Sequence, residues 1–305
     1  MTDEKRVFHE WLNRSSGFFY TVNKTLYKGK TRFQEIELVD TDEFGKVLLL
    51  DGVTQVAERN DWQYHEPMVH MPLLSHPRPE QVLVVGGGDG GILREVLKHP
   101  TVTHVDLAEL DEEVVAFSRE YLPEISGGAF DDPRVSFHIT DGRAFVESCS
   151  RRYDAVIMDM TDPAGPSEML YTREFFSLVE RSLRDDRGVF AMHSESPITR
   201  PVAYQCIRKT LGAVFGEVHS IFAFIQMYAT LWSITTASQQ TSPRNLPAGE
   251  VSRRIKDRGL SGLHMIDAEN WQSVLAIPPY VAMLDGSGIP VITDEKHSFP
   301  DNFAR

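Results

Sequence analysis

The sequence has little cysteine: two residues, Cys149 and Cys206, among 305. Two thiols cannot build a disulfide framework for a chain of this length, and no Cys/His cluster has zinc-ligand spacing. The eleven histidines are scattered, so no metal site is expected. Long apolar runs are absent as well. No segment approaches the roughly 18 residues of a membrane span, and the N-terminal "MTDEKRVFHEWLN" lacks the apolar stretch of a secretory signal. A cytoplasmic protein with no membrane partner is the expectation. Positive charge is in deficit: 31 Lys and Arg stand against 44 Asp and Glu, a formal net charge of −13. Phosphate binding needs a basic face, so nucleic acid is excluded as a partner. A negative surface instead draws in small cations, and it also serves solubility. There is no internal repeat or low-complexity tract.

What is present is an ordinary globular composition, 41% hydrophobic, in a length that suits one large α/β domain with a smaller companion. Residues 17 to 58 read as hairpins: "FFYTVNKTLY", "RFQEIELVDT" and "KVLLLDGVTQVAE" alternate apolar and polar side chains, with "DEFGK" and "LDG" as turns. After "RNDWQYHEPMVHMPLLSHPRPE" the pattern changes. Short apolar strands, "QVLVVGG", "THVDLAEL", "VSFHIT", "YDAVIMDM" and "GVFAMHSE", alternate with amphipathic helices such as "GGILREVLKH", "EEVVAFSREYL", "TREFFSLVERSL" and "PVAYQCIRKTLGAVF". "VHSIFAFI" and "LWSITTAS" follow without a helix between them, which predicts an antiparallel edge hairpin. The fold class is therefore α/β, a doubly wound, mostly parallel Rossmann-like sheet of the methyltransferase type preceded by a small antiparallel β domain. The division is placed near Ser75, giving residues 1–75 and 76–305.

"GGGDGG", residues 86 to 91, satisfies G-x-G-x-x-G where a first strand turns into a first helix. Gly86, Gly87 and Gly88 allow close approach of backbone to a ligand. Glu109 closes the second strand 18 residues after the loop, where a carboxylate accepts both hydroxyl hydrogen bonds of a ribose. Asp89 separates the ligand classes. A dinucleotide puts its pyrophosphate on this loop, and an aspartate there would repel it. The carboxylate suits a cationic adenosine derivative, a sulfonium such as S-adenosylmethionine or its decarboxylated form. Asp141, ending the third strand in "TDGRAF", has two readings, acceptor for the adenine amino group and N-cap of the next helix.

"MDMTDPAGP", residues 158 to 166, ends the fourth strand on two carboxylates, Asp159 and Asp162, in a loop stiffened by Pro163 and Pro166. A carboxylate pair at that place can bind metal, hydrolyse a sugar, or hold and deprotonate an amine. No histidine or further acid stands beside it in sequence to complete a metal shell, and glycosidase chemistry needs acids straddling a saccharide. The amine reading suits the sulfonium, because an amine is the nucleophile and the carbon next to sulfur the electrophile. Prolines limit the freedom the loop loses on closing.

With these residues in hand the sequence resembles the polyamine aminopropyltransferases, the spermidine synthase family. "RFQEIELVDTDEFGKVLLLDGVTQVAERNDWQYHEPMVHMPL" is similar to the family's N-terminal segment. "VLVVGGGDGGILREVLKH", "LAELDEEVV", "DDPRV", "DGRAF" and "YDAVIMDMTDPAGPSEMLYTREFF" follow its central block in order. The resemblance implies decarboxylated S-adenosylmethionine as donor co-substrate, no further cofactor, methylthioadenosine as second product, and putrescine as acceptor. It places donor contacts on Gln34, His65, Asp89, Glu109, Asp141 and Gly142. The acceptor falls to Tyr64, Asp162 and Tyr228, and the base to Asp159; Glu195, where the chain departs from the family pattern, is expected to add a polar contact to the far amine. Asp89 would pair with the donor's ammonium and repel the carboxylate of ordinary S-adenosylmethionine. A homodimer or homotetramer is implied.

The departures cluster on the acceptor side. Where the family has Gln or Asn near a Gly, this chain reads "AMHSESPITRP" with His193 and Glu195. "FAFIQMYATLW" replaces a Pro-Thr-Tyr-Pro-Gly turn, and "DW", Asp61 and Trp62, stands for "DE". Other readings stay open on this ground: a different acceptor (cadaverine, agmatine or spermidine), an S-adenosylmethionine methyltransferase, or a non-catalytic polyamine-binding homologue.

Overall fold

Alternating apolar and polar side chains between residues 17 and 58 form strands, as that period requires. The structure, a computed structural model, describes residues 5–300, with the side chains of residues 165 and 166 outside the described set, so the stiffening assigned to Pro166 lies outside it. Strand β1 (Arg6–Trp11) pairs antiparallel with β2 (Gly17–Val22). A separate antiparallel sheet runs in chain order through β3 (Lys24–Lys30), β4 (Glu35–Thr41), β5 (Gly45–Leu50) and β6 (Val53–Ala57). "FFYTVNKTLY" is thus not one strand. It divides at Asn23, whose N–H donates to Asp40 O, and the two halves join different sheets.

Helix α1 (Trp62–Ser75) was not expected, because Pro67 and Pro72 lie inside it. Each proline removes one helical hydrogen bond and crowds the preceding turn. Tertiary burial prevails: every residue from Tyr64 to Ser75 is buried, so the helix has no polar face to betray it. It packs against the seven-stranded sheet of the second part of the chain and the helix that follows the glycine loop. The expected domain division at residue 75 falls at its C-terminal end.

The second part alternates strand and helix as read: β7 (Gln81–Gly86), α2 (Gly91–Leu97), β8 (His104–Glu109), α3 (Glu112–Tyr121), the short α4 (Pro123–Ser126), β9 (Val135–Ile139), α5 (Gly142–Ser148), β10 (Ala155–Asp159), α6 (Arg173–Ser182), β11 (Val189–His193), α7 (Pro201–Gly212), β12 (Glu217–Ile225) and β13 (Thr230–Ser238). The sheet order is β12-β13-β11-β10-β7-β8-β9. Strands β7 to β11 pair in parallel, and β13 and β12 add as the antiparallel edge hairpin. Caps fix the helix starts: the side chains of Asp111, Asp141 and Thr172 accept from Glu113, Ala144 and Phe175 N–H groups, each worth about 1 kcal/mol.

The chain steps outward from β7 to β8 and β9 on one side, then to β10 and β11 on the other. The crevice at the carboxyl ends of β7 and β10 is the ligand position of such sheets. Asp159 pairs in register with Gly86 there, so loop and carboxylate emerge side by side. Past residue 238 come α8 (Ala248–Asp257), α9 (Trp271–Val274) and α10 (Pro279–Ala282). Arginines of α8 and its C-cap serve α1: Arg254 donates to Leu74 O and Ser75 O, and Arg258 to Leu73 O, His76 O and Pro77 O. These bonds satisfy carbonyls at the end of α1 that have no helical partner. Among the described residues no helix is long and apolar enough to cross a membrane.

Candidate functional site

The glycine loop is shaped by what it touches. Gly86 has φ +80, and a Cβ there would lie 2.0 Å from Asp159 O, so only glycine permits the turn. The Gly87 N–H donates to Asp159 O at 3.0 Å. Asp89 accepts from Gly91 N–H at 2.8 Å and lies 3.7 Å from His65 Nε2. His65 Nδ1 is 3.0 Å from Asp61 Oδ2, which also takes a 2.7 Å bond from Arg94. Burial works against a charge on His65, but its bonds to Asp61 and Asp89 outweigh it and lift the imidazole to about 10. His65 is therefore an imidazolium between two carboxylates. Burial likewise opposes the charge of Asp89, and the His65 bond overcomes it, holding the carboxyl below its ordinary value.

Glu109 is half-buried at the end of β8, and desolvation pushes its carboxyl up to about 7 despite hydrogen bonds from backbone N–H groups of Asp111 and Leu110. A Cβ on Gly88 would stand 3.1 Å from Glu109 Oε2. Gln34, just before β4, donates to Asp111 Oδ2 at 3.1 Å, bringing the N-terminal sheet to this rim. Asp141 is exposed, and its carboxylate accepts Ala144 N–H at 2.9 Å, which is the capping reading of that residue. Gly142 is buried against Val85.

On the other side of Asp159, the Tyr64 hydroxyl donates to Asp159 Oδ1 at 2.7 Å. Burial first, then the Asp89 charge, raises the Asp159 carboxyl to about 6, against the pull of His65 and the Tyr64 bond. Beyond it opens a cavity of about 60 Å³, whose walls include Glu10, Tyr64, Asp162, His193, Glu195 and Tyr228. Tyr228 donates to Gln55 O at 2.9 Å and meets Tyr64 edge-on, ring centroids 6.3 Å apart. Glu195 is buried in the left-handed region, φ 65.

His193 carries a definite tautomer. Its Nε2 lies 2.9 Å from Met160 O and 2.8 Å from the Tyr171 hydroxyl, whose own proton goes to Thr161 O at 2.9 Å. A carbonyl only accepts, so Nε2 bears the hydrogen. Burial lowers the pKa of the ring and keeps it neutral, which leaves a lone pair on Nδ1. Among the described residues Nδ1 has no hydrogen-bond partner, and neither has Nε1 of Trp232, the indole stacked on His193 at 5.7 Å.

The sequence-based candidates therefore form two adjoining groups about Asp159: glycine loop, Asp89, His65 and Glu109 on one side, Tyr64, Asp162, His193, Glu195 and Tyr228 on the other. Gln34 and Asp141 stand at the rim. Sequence reasoning missed Glu10 and Trp11 of β1, Arg200 and Trp232, all on the cavity wall, and the Asp61–Arg94 pair. Only the odd "DW" pointed toward Asp61.

Residues 61–246 match the spermine/spermidine synthase domain, and residues 7–58 match the spermidine synthase tetramerisation domain. The chain belongs to the spermine/spermidine synthase family. It is 37% identical to a polyamine aminopropyltransferase of Nitrosomonas europaea over 96% of this chain and 89% of that one. It is 36% identical to polyamine aminopropyltransferase 2 of Hyperthermus butylicus, over 95% and 96% of the two chains. Among solved structures, a spermidine synthase in complex with the transition-state analogue AdoDATO superposes with a TM-score of 0.85 at 32% identity, covering 92% of this chain and 95% of that one. The spermidine synthase of Thermotoga maritima gives 0.84 at 31% identity, covering 92% and 94%. The chain is accordingly an enzyme, a transferase of the polyamine aminopropyltransferase type, and its N-terminal sheets are the family's oligomerisation module.

Proposed function

We propose that the enzyme moves the aminopropyl group of decarboxylated S-adenosylmethionine to a polyamine, putrescine first, and releases methylthioadenosine. The observation that carries this reading is Asp159: a carboxyl at about 6, held by Tyr64, between the carboxylate of Asp89 and a cavity walled by acids. The acceptor arrives as an ammonium. Freeing its lone pair costs about 4 to 5 kcal/mol at pH 7 for an amine with a pKa near 10.4. Asp159 and Asp162 bind the ammonium, and Asp159 takes its proton. The nitrogen lone pair attacks the methylene next to sulfur, the C–S bond breaks, and its electrons return to sulfur as a thioether. Aligning nitrogen and carbon supplies most of the acceleration.

On the donor side, Glu109 receives the ribose hydroxyls and Asp89 the aminopropyl ammonium. Gln34 and His65 complete the contacts, with Asp141 and Gly142 at the adenine. Asp89 disfavours ordinary S-adenosylmethionine, whose carboxylate would face it, and so disfavours methyl transfer. On the acceptor side Tyr64 and Tyr228 flank the chain, while Glu195 and the lone pair of His193 Nδ1 take N–H groups of the far amine. Residues 7–58 assemble copies into a homodimer or homotetramer. Val7, Trp11, Phe19 and Phe33 support that assembly, being 50%, 58%, 69% and 46% exposed in the single chain. The test is incubation with decarboxylated or ordinary S-adenosylmethionine and putrescine, cadaverine, agmatine or spermidine, followed by mass spectrometry. Methylthioadenosine formed from the decarboxylated donor supports the reading, and none with any amine rejects it.

A further inference from the structure

The matched synthase domain ends at residue 246, yet the chain beyond it returns to the cleft. Residues 289–299 run along the base of the loop that carries Asp162. Lys209 donates to Ile289 O at 2.6 Å. Ile292 takes a bond from Arg173 N–H at 2.8 Å and gives one to Thr210 at 3.0 Å, and Phe299 meets Tyr171 edge-on at 6.0 Å. Tyr171 is the residue whose hydroxyl bonds Thr161 O and His193 Nε2.

The centre of this strap is Asp294. Its carboxylate receives Arg143 as a two-pronged pair, at 2.9 and 2.5 Å, and the Thr172 hydroxyl at 2.6 Å. Arg143 follows Gly142 at the start of α5, and its other bonds reach Met169 O at 3.0 Å and Thr172 Oγ1 at 3.3 Å. One carboxylate thus joins three pieces: the helix that begins at the donor end, the return limb of the Asp162 loop, and the C-terminal strap. A planar guanidinium held at both prongs has little freedom to rotate, so the pieces keep a fixed mutual position.

We propose that Asp294 is a positioning residue, which through Arg143 locks α5 to the return limb of the Asp162 loop, so that filling the donor end holds that loop in place for the amine. The inference rests on the aminopropyl-transfer reading of the cleft. Asp294→Ala is expected to raise KM for the amine about tenfold with kcat changed far less, since about 1.4 kcal/mol of loop positioning corresponds to tenfold. Arg143→Ala should do the same, and the double variant should be no worse than either single one, because the two side chains act as a unit. Methylthioadenosine should protect the 160–171 segment of the wild type from proteinase K and fail to protect it in Asp294→Ala. If Asp294→Ala does not fold, Asp294→Asn carries the same comparison, since asparagine can still accept from Thr172. Variants that melt lower but keep wild-type KM and protection would reduce the strap to a purely structural role and overturn the proposal. Wild-type enzyme that releases no methylthioadenosine counts against the proposed function instead, whereas active wild type beside indistinguishable variants counts against the strap.

Discussion

Replacing Asp159 by asparagine should separate two consequences of its environment. The carboxyl stands at about 6 in the folded chain against an ordinary 3.8, a difference worth about 3 kcal/mol at about 1.36 kcal/mol per pH unit. The side chain borders the open cleft, where water relaxes part of that cost, so about 2 kcal/mol is the working figure. The sign follows from linkage: a carboxyl raised on folding favours the protonated form, so the wild type gains stability as pH falls through 6 and lacks that gain above it. Asparagine keeps an acceptor for the Tyr64 hydroxyl and carries no charge. The ligand-free variant should therefore melt about 3 °C higher than wild type at pH 8 and fixed protein concentration, with the difference closing toward pH 4. Turnover should fall by about 10² to 10⁴, the range for loss of a general base, while methylthioadenosine binds as before. Calorimetric melting across pH and single-turnover kinetics check both. Near-wild-type turnover would remove Asp159 as the base, and lower stability at pH 8 would refute the account of its buried charge.

Glu109, pushed up to about 7 by burial, must be ionised to accept two ribose hydroxyls, so methylthioadenosine affinity should weaken as pH falls below 7; titration calorimetry should show this slope in wild type and a flat profile in Glu109→Gln. Asp89→Asn should narrow the preference for decarboxylated over ordinary S-adenosylmethionine in competition binding, and an unchanged ratio would sever that aspartate from donor choice. His193→Gln exchanges a fixed lone pair for a rotatable amide, and the order of kcat/KM among the four amines should shift. Trp271 is fully buried and donates to Pro243 O at 2.8 Å; Trp271→Ala should cost about 3 to 5 kcal/mol in denaturant unfolding.

Local chemistry made much of the site legible in advance. A glycine run between strand and helix, an acid ending the next strand, and two aspartates ending the fourth have meaning at fixed spacing, because a parallel sheet brings the ends of its strands to one crevice. The helices with clear apolar faces, α2, α3, α6 and α7, were legible for the same reason. Helix α1 was not, since its two prolines and its scatter of polar residues among apolar ones, with no single apolar face, argue locally against what burial enforces. The split of "FFYTVNKTLY" at Asn23 was hidden too, because period-2 alternation does not say which sheet a strand joins.

By itself the sequence determined the class of fold, the place of the glycine loop and of the acid after the second strand, and the two aspartates that end the fourth. All of these follow from side-chain type and spacing along one strand or turn. Only the tertiary structure decided what those groups experience. Asp159 becomes a carboxyl near 6 because the closed cleft buries it and the loop after β7 brings the charge of Asp89, against the opposing pull of His65 and Tyr64. His65 becomes an imidazolium because Asp61 and Asp89 flank it, and His193 holds its lone pair on Nδ1 because Met160 and Tyr171 claim the other nitrogen. Charge states of this kind depend on burial and on neighbours distant in sequence, and they arise only when the chain has closed on itself.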